Sequence, residues 1–375
     1  MTAAVPPRVE AAGSAGWVRQ VLAARWGPRW SGVPVRPLSA GDTAPLSHTA
    51  GLWYVERPEG GYVLKVQLNP DAAREPRFYP LKEEILAHCR SHGVPAPAAV
   101  AASDGATSVW HDGLVCELAP LAPGAASGEL TPARAAAVVR TGLGLRRALD
   151  RPPDGVADGL APIRLPRLVD EEHWPSALRD AEERLLPLAE RRGDSWGRAA
   201  ASALRGVVAS GRLLREAGPA AAGERPARPA VVHGDLHYHH FLFSPTGDPT
   251  GDRAGEADGP DVVAVLDFDN LHVGDRLLDL AWLAEMAGRV AGETGRRRSL
   301  AAFREAATAA GLLAPGEERL LMPLLMAHSL PVIVDIAKDI LLRDILSPAW
   351  TEYFDLLASP RRLRIHQSLV SPLPR

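Results

Sequence analysis

The sequence contains little cysteine and lysine, and it has no long apolar run. Its two cysteines, Cys89 and Cys116, provide neither a disulfide framework nor the spacing of a metal site. No stretch of 18 or more apolar residues predicts a membrane span, and the N-terminal segment lacks the basic and apolar regions of a signal peptide. We therefore expect a protein of the reducing cytoplasm with no membrane partner.

The net charge is also small, and nearly all of the basic residues are arginine. The formal charge is −3 over 375 residues, so no basic surface predicts a nucleic-acid partner. Of the 42 basic residues, all are arginine except Lys65, Lys82 and Lys338. A lysine within an apolar strand of such a chain indicates a specific role. The length and the 46% hydrophobic content fit one large bilobal domain or two ordinary ones.

Two apolar segments that break at aspartate are the most informative part of the chain. Residues 231–243 read VVHGDLHYHHFLF, and residues 262–282 read VVAVLDFDNLHVGDRLLDLAW. Short apolar runs bounded by glycine and aspartate are typical of buried strands with functional ends. We therefore expect Asp235 and Asp267 to face one site.

These segments resemble the catalytic core of the aminoglycoside phosphotransferase and choline kinase family. The resemblance rests on H-G-D at 233–235, the position of His240 five residues after the aspartate, L-D-F-D at 266–269, G-D at 274–275 and D-L-A at 279–281. The family has a protein-kinase-like fold and transfers the γ-phosphate of ATP to a small-molecule hydroxyl. The resemblance implies an α+β, bilobal fold, with a small antiparallel β N-lobe at 1–118 and a mainly α-helical C-lobe at 119–375.

The same resemblance implies roles for individual residues. Asp235 is expected to orient the attacking hydroxyl or accept its proton, and Asp267 to hold the Mg²⁺ that bridges the phosphates of ATP. His240 replaces the usual asparagine of the family and is the second candidate metal ligand. Asp279 is expected to brace the catalytic loop from the start of a helix.

Nucleotide-binding residues are expected in the N-lobe. Lys65, in the strand YVLKVQ, resembles the kinase lysine that contacts the α- and β-phosphates. The helix at 79–92 should carry a glutamate that pairs with Lys65. The usual family position falls near Lys82, one or two residues away from Glu83 and Glu84, of which Glu84 is preferred.

Other parts of the N-lobe carry weaker signals. Ser47 and Thr49, with His48 between them, are candidates for a phosphate-covering loop, and the backbone of Glu117 and Leu118 is the candidate hinge for adenine. A strand is predicted at 98–102, and in the C-lobe a helix at 320–342 broken at two prolines. Residues 244–261, rich in glycine and aspartate, are expected to form a mobile surface insertion.

The acceptor stays open at this stage. It could be an antibiotic, a metabolite such as a sugar or choline-like alcohol, or Ser or Thr of a precursor peptide in modified-peptide biosynthesis, in which case a partner protein is possible. The scattered acids and small net charge argue against a polycationic aminoglycoside. A nucleotide-binding scaffold is the competing class, because histidine is a poorer Mg²⁺ ligand than an amide oxygen. A zinc hydrolase using His237, His239 and His240 is disfavoured, since no H-E-x-x-H spacing occurs.

Overall fold

The computed structural model describes seven stretches of the chain: residues 14–38, 50–68, 73–127, 130–165, 174–217, 229–244 and 261–371. The phosphate-loop candidates Ser47, His48 and Thr49 lie outside these residues, and so does most of the predicted insertion, at 245–260.

The N-terminal part is a five-stranded antiparallel sheet of order β1-β2-β3-β5-β4. Its strands are β1 (Val35–Pro37), β2 (Ala50–Arg57), β3 (Gly60–Gln67), β4 (Ser108–His111) and β5 (Leu114–Pro120). The glycine-containing turn at 57–61, between apolar segments at 51–56 and 62–67, predicts a hairpin, and the antiparallel pairing of β2 with β3 confirms it. Leu64 and Val66 are fully buried in a core shared with the first helix. Because side chains alternate along a strand, Lys65 points to the opposite face of the sheet.

Two helices accompany the sheet. Helix α1 (Ala15–Trp26) begins where Ser14 Oγ accepts a hydrogen bond from the Trp17 N–H, and it buries its apolar face on the sheet. Helix α2 (Phe78–Ser91) follows β3 and turns one apolar stripe, including Phe78 and Ile85, into the larger core of the molecule. Lys82 lies within this inward stripe.

The C-terminal part is mainly helical. Its helices are α3 (Pro132–Leu149), α4 (Val156–Leu160), α5 (Trp174–Asp180), α6 (Leu186–Arg192), α7 (Ser195–Ala217), α8 (Leu277–Ala287), α9 (Glu293–Ala309), α10 (Glu318–Lys338), α11 (Pro348–Leu356) and α12 (Ser359–Val370). Single π turns, Ala181–Leu185 and Asp339–Arg343, continue α5 and α10. With the antiparallel sheet, these helices confirm the protein-kinase-like α+β fold.

Two short antiparallel ladders hold the loops of the site. Strand β6 (Pro229–Val232) pairs with β9 (His272–Asp275), and β7 (Phe241–Phe243) pairs with β8 (Val262–Val265). The H-G-D loop therefore connects one ladder to the other, and the segment that contains Asp267 connects them in the reverse direction. This topology places the two predicted carboxylates side by side.

The structure differs from the sequence-based expectations in two elements. Residues 98–102 form no strand: the segment follows Pro95 and Pro97, and the backbone hydrogen bond described between it and β5 is the one from Val100 N to Leu118 O. Helix α10 is continuous through Pro323 and Pro331. Its packing against α7, α8 and α12 outweighs the hydrogen bonds that two prolines remove.

Helix α10 is also apolar enough to resemble a membrane span. Together with its π turn it covers Glu318–Arg343, and these 26 residues are long and apolar enough, by length and composition alone, to cross a membrane. However, 78% of the most apolar window is buried inside the structure. The core position of the helix accounts for its composition.

Candidate active site

The catalytic loop begins at the end of β6 with a glycine that cannot be replaced without strain. Gly234 has φ +82°, and a Cβ at this position would lie 2.9 Å from the carbonyl oxygen of Asn270. The next residue, Asp235, accepts a hydrogen bond of 3.2 Å from Asn270 Nδ2 at its Oδ2 atom. Burial raises the pKa of Asp235, which makes its carboxylate a better proton acceptor than a free aspartate.

Asp279, in the first turn of α8, braces this loop as expected. Its Oδ2 atom accepts hydrogen bonds from His233 N at 3.0 Å and from Arg146 Nη1 at 2.7 Å, and its Oδ1 atom accepts one from Gly234 N at 3.0 Å. Arg146 also donates to the Val231 carbonyl oxygen at 2.6 Å. Both charged side chains are buried, and their hydrogen bonds with the backbone of Val231, His233 and Gly234 fix the segment just before Asp235.

His233 connects the catalytic loop to the strand that leads to Asp267. Its Nδ1 atom accepts a hydrogen bond from Asp235 N at 3.3 Å, and its Nε2 atom lies 3.1 Å from the Leu266 carbonyl oxygen. Burial lowers the pKa of His233 to about 4, so the ring is neutral and has one donor and one acceptor. Both nitrogens are used to hold the two loops together.

Asp267 adopts a backbone conformation that aspartate rarely takes. Its φ is +60°, in the left-handed region, and such strain is concentrated at functional sites. Its Oδ1 atom lies 2.7 Å from Lys65 Nζ, and its Oδ2 atom lies 3.5 Å from His240 Nε2. The structure therefore brings together Lys65, Asp267 and His240, three predicted site residues that are far apart in sequence.

Asp269 joins Lys65 to a second lysine. Lys65 Nζ lies 2.8 Å from Asp269 Oδ2, and Lys82 Nζ lies 2.8 Å from Asp269 Oδ1. Lys82 Nζ also lies 2.6 Å from Glu117 Oε1. Burial by itself would lower the lysine pKa values and raise that of Asp269. The opposite charges reverse both effects, so the pKa of each lysine is raised and that of Asp269 is lowered.

This ion network differs from the predicted pairing of Lys65 with a glutamate on α2. The inward stripe of α2 places Lys82 at the site, and the next residues on the helix point away from it. Glu83 binds Arg90 at 2.9 Å, and Glu84 is exposed. Asp269 takes the place of the helix glutamate as the partner of Lys65.

The structure also gives Glu117 a different role from the predicted one. Glu117 lies opposite Lys65 in the β3–β5 ladder and opposite Ser108 in the β4–β5 ladder, so its backbone lies inside the sheet. Its side chain, not its backbone, reaches the site through Lys82. The carbonyl oxygen of Leu118 accepts a hydrogen bond from Val100 N at 2.7 Å, so that oxygen already has a protein partner.

Three residues of the site were not found from the sequence: Lys82, Asp269 and Asn270. The rarity of lysine was a usable signal, because two of the three lysines of the chain meet at Asp269. Asp269 is the last residue of the L-D-F-D motif and Asn270 follows it directly, but the resemblance assigned neither residue a role.

Helix α11 approaches the catalytic carboxylates from the C-terminal side. Burial raises the pKa of Tyr353, and the negative charges of Asp235 and Asp267 raise it further. On the same helix, Glu352 Oε1 lies 2.8 Å from Nε2 of His239 in the catalytic loop. A molecule that reaches Asp235 from this side would contact α11.

Three features together define the class of protein-kinase-like phosphotransferases. They are the lysine on β3, the H-x-D loop between β6 and β7, and the second aspartate just after β8. The sequence model of the phosphotransferase enzyme family matches residues 44–321. The chain belongs to this family. It is an enzyme, a phosphotransferase with an alcohol group as acceptor.

Solved structures of small-molecule kinases share the fold at low identity. A spectinomycin phosphotransferase in complex with ADP and spectinomycin has a TM-score of 0.61 and 12% identity, over 95% of this chain and 98% of that one. A microcompartment-associated aminopropanol kinase has a TM-score of 0.59 and 18% identity, over 96% and 100%. An amicoumacin kinase with AMP-PNP and Ca²⁺ has a TM-score of 0.57 and 14% identity, over 96% of each chain. No curated protein sequence matched significantly.

Proposed function

We propose that this enzyme transfers the γ-phosphate of ATP to a hydroxyl of a small molecule with the help of a divalent cation. The convergence of Asp235, Lys65 and Asp267 carries the proposal. A single imidazole ring spans the two aspartates: His240 Nδ1 lies 2.6 Å from the Asp235 carbonyl oxygen, and its Nε2 lies 3.5 Å from Asp267 Oδ2. Phosphoryl transfer depends mainly on such positioning and on charge neutralisation.

Each residue has a chemical role in this proposal. Asp235 orients the acceptor hydroxyl and takes its proton. Lys65 exchanges one of its two carboxylate partners for phosphate oxygens of the nucleotide, which a compact ammonium with three donors can do. Asp267 Oδ2 and His240 Nε2 are donor atoms that fit a divalent cation, which neutralises charge on the phosphates when bound. The nucleotides in the spectinomycin phosphotransferase and amicoumacin kinase structures support ATP as the donor.

The adenine is proposed to lie beyond Leu118, where β4 no longer flanks β5. The last pair of the β4–β5 ladder joins Ser108 to Glu117, and β5 continues to Pro120. Backbone groups at 119–123 are therefore better candidates for the hinge than those of Glu117. A division of the chain into lobes at Leu118 remains our proposal, and so does a location in the cytoplasm, where ATP is available.

The acceptor is proposed to bind between the catalytic loop and α11. The contact between Glu352 and His239, a residue of the catalytic loop, supports this position for the acceptor. The similar structures include a spectinomycin phosphotransferase, an aminopropanol kinase and an amicoumacin kinase, which supports a small molecule with a hydroxyl group as the acceptor. Ser or Thr of a precursor peptide is the second acceptor class.

The decisive experiment is transfer of labelled γ-phosphate from ATP to a panel of sugars, amino alcohols, antibiotics and serine peptides. For an acceptor that is phosphorylated, Asp235→Asn should lower kcat by about 10²- to 10⁴-fold, because a positioned general base contributes that much. Its nucleotide affinity, measured by calorimetry, should stay near that of the wild type. Asp344→Asn is the matched control, since Asp344 is 76% exposed and pairs with Arg192 instead.

The same measurement separates a kinase from a scaffold. A scaffold would bind the nucleotide but transfer no phosphate to any member of the panel or to water. Wild-type turnover that survives Asp235→Asn unchanged would contradict the assignment of the base.

A further inference from the structure

The orientation of the His240 ring fixes which of its nitrogens faces Asp267 and whether that nitrogen carries a proton in the neutral ring. Nδ1 lies 2.6 Å from the carbonyl oxygen of Asp235. A carbonyl oxygen only accepts hydrogen bonds, so Nδ1 carries the proton. In the neutral ring, Nε2 therefore holds a lone pair, and this atom is the one directed at Asp267.

The facing atom on Asp267 is also an acceptor. Lys65 occupies Oδ1 at 2.7 Å, whereas Oδ2 lies 3.5 Å from His240 Nε2. Two lone pairs directed at each other repel unless a metal ion or a proton lies between them, and a metal ion bound by both atoms removes that repulsion. Nitrogen and oxygen ligands about 2.1 Å from one metal ion are about 3.0 Å apart at a right angle and about 3.4 Å apart at the tetrahedral angle, so the observed 3.5 Å is slightly wider than a bound ion requires. The backbone carbonyl on Nδ1 is also the partner that ligating histidines commonly use to fix their ring.

The neighbouring histidine does not provide a second nitrogen ligand. One ligand atom from each of Asp235, His237 and His240 lies within 4.8 Å of the others. However, His237 Nδ1 accepts a hydrogen bond from His239 N at 3.3 Å, so its proton is on Nε2. That Nε2–H group is directed at Asp235 Oδ2, 3.8 Å away. The cluster thus offers one imidazole lone pair and carboxylate oxygens, which is not the donor set of a two-histidine zinc site.

We propose that His240 Nε2 and Asp267 Oδ2 are a mixed nitrogen and oxygen site that selects Mn²⁺ over Mg²⁺ as the ion of phosphoryl transfer. Mg²⁺ takes oxygen ligands in near-ideal octahedral geometry, whereas a first-row divalent ion such as Mn²⁺ also binds sites of mixed nitrogen and oxygen ligands. The inference rests on the proposed function, because the phosphate oxygens of the nucleotide complete the shell. It concerns the identity of the ion and can be tested without turnover.

The test uses Mn²⁺ bound to the full chain with AMP-PNP, and it has two readouts. Pulsed electron paramagnetic resonance should detect coupling of Mn²⁺ to an imidazole ¹⁴N nucleus in the wild type, and His240→Asn should abolish it. Competition calorimetry should give a Mn²⁺ to Mg²⁺ affinity ratio that falls about tenfold or more in His240→Asn, since one nitrogen ligand becomes an amide oxygen.

His237→Asn is the matched control, because an amide oxygen can still accept the hydrogen bond from His239 N. It should keep the ¹⁴N coupling, and thermal denaturation of both variants establishes that they are folded. Bound Mn²⁺ without ¹⁴N coupling in the wild type, or an affinity ratio unchanged by His240→Asn, overturns the inference. A protein that shows the coupling but transfers no phosphate supports the metal assignment and contradicts the proposed function instead.

Discussion

Two of the ion clusters that the described residues form lie beside the catalytic loop and are built on different cations. In the cleft cluster, Lys65 and Lys82 bind Asp267, Asp269 and Glu117. The loop-bracing cluster consists of Arg146 and Asp279, with Asp150. The side chains of Lys65, Asp267 and Asp269 are 24%, 35% and 25% exposed, whereas those of Arg146 and Asp279 are 1% and 0% exposed.

The difference follows from the geometry of the two cations. The planar fork of Arg146 donates to three separate acceptors, and a fixed set of partners suits a brace that must not move. An ammonium is a compact charge that can exchange one oxygen for another, as a nucleotide site requires. A chain with 42 basic residues and three lysines places two of the lysines in the cleft.

The largest expected effect comes from breaking the brace with Arg146→Leu. This change leaves the carboxylate of Asp279 buried without its cation, and removing one partner of a buried pair costs about 3–5 kcal/mol. Urea or thermal unfolding should therefore show a strong loss of stability. The exposed Arg147→Leu on the same helix is the control and should change the free energy of unfolding by less than about 0.5 kcal/mol. Equal effects of the two changes would contradict the comparison.

A smaller stability effect and a larger catalytic one are expected from Lys82→Met. Asp269 keeps Lys65 as a partner, but it loses the charge that holds it in place, and Glu117 is left without a cation. We expect KM for ATP to rise about tenfold, equivalent to about 1.4 kcal/mol. Adding Glu117→Gln to Lys82→Met should recover stability, because the unpaired carboxylate becomes a neutral amide, without recovering KM. Recovery of both stability and KM would mean that Lys82 acts only as a structural partner of Glu117.

Sequence patterns predicted those features of the site that depend on residues close together in the chain. The β2–β3 hairpin, the H-G-D loop and the place of Asp279 at the start of a helix follow from short motifs. The brace also involves Arg146, which lies 133 residues before Asp279, and no motif connected the two.

The cleft cluster could be predicted only in part, because it depends on which face of α2 is turned inward. Lys65 and Asp267 were identified, whereas the partner of Lys65 was placed on Glu83 or Glu84. The apolar stripe of α2 passes through Lys82, and its partner Asp269 is 187 residues further along the chain. Which residues form such a distant pair depends on tertiary packing, which short sequence motifs do not contain. Tertiary packing also keeps α10 helical through two prolines that predicted a break.

The smallest structural change tests the choice of cation directly. Lys65→Arg keeps the positive charge and leaves stability near that of the wild type, but the planar guanidinium cannot take the place of a compact ammonium between Asp267, Asp269 and phosphate oxygens. We expect KM for ATP to rise by about tenfold or more, measured by steady-state kinetics with saturating acceptor. Full activity would mean that the cleft needs only a charge.

Lys338→Arg separates this effect from a general intolerance of arginine at lysine positions. Lys338 Nζ lies 2.7 Å from Asp180 Oδ2, and its side chain is 29% exposed. Asp180 also binds the guanidinium of Arg184. Its carboxylate therefore already pairs with one arginine and can pair with a second one at position 338. Partly exposed ion pairs contribute about 0–1 kcal/mol, and both KM for ATP and the unfolding midpoint should therefore stay unchanged. A rise in KM here similar to that of Lys65→Arg would show that the cleft lysines are not special, and the contrast between the two clusters would no longer hold.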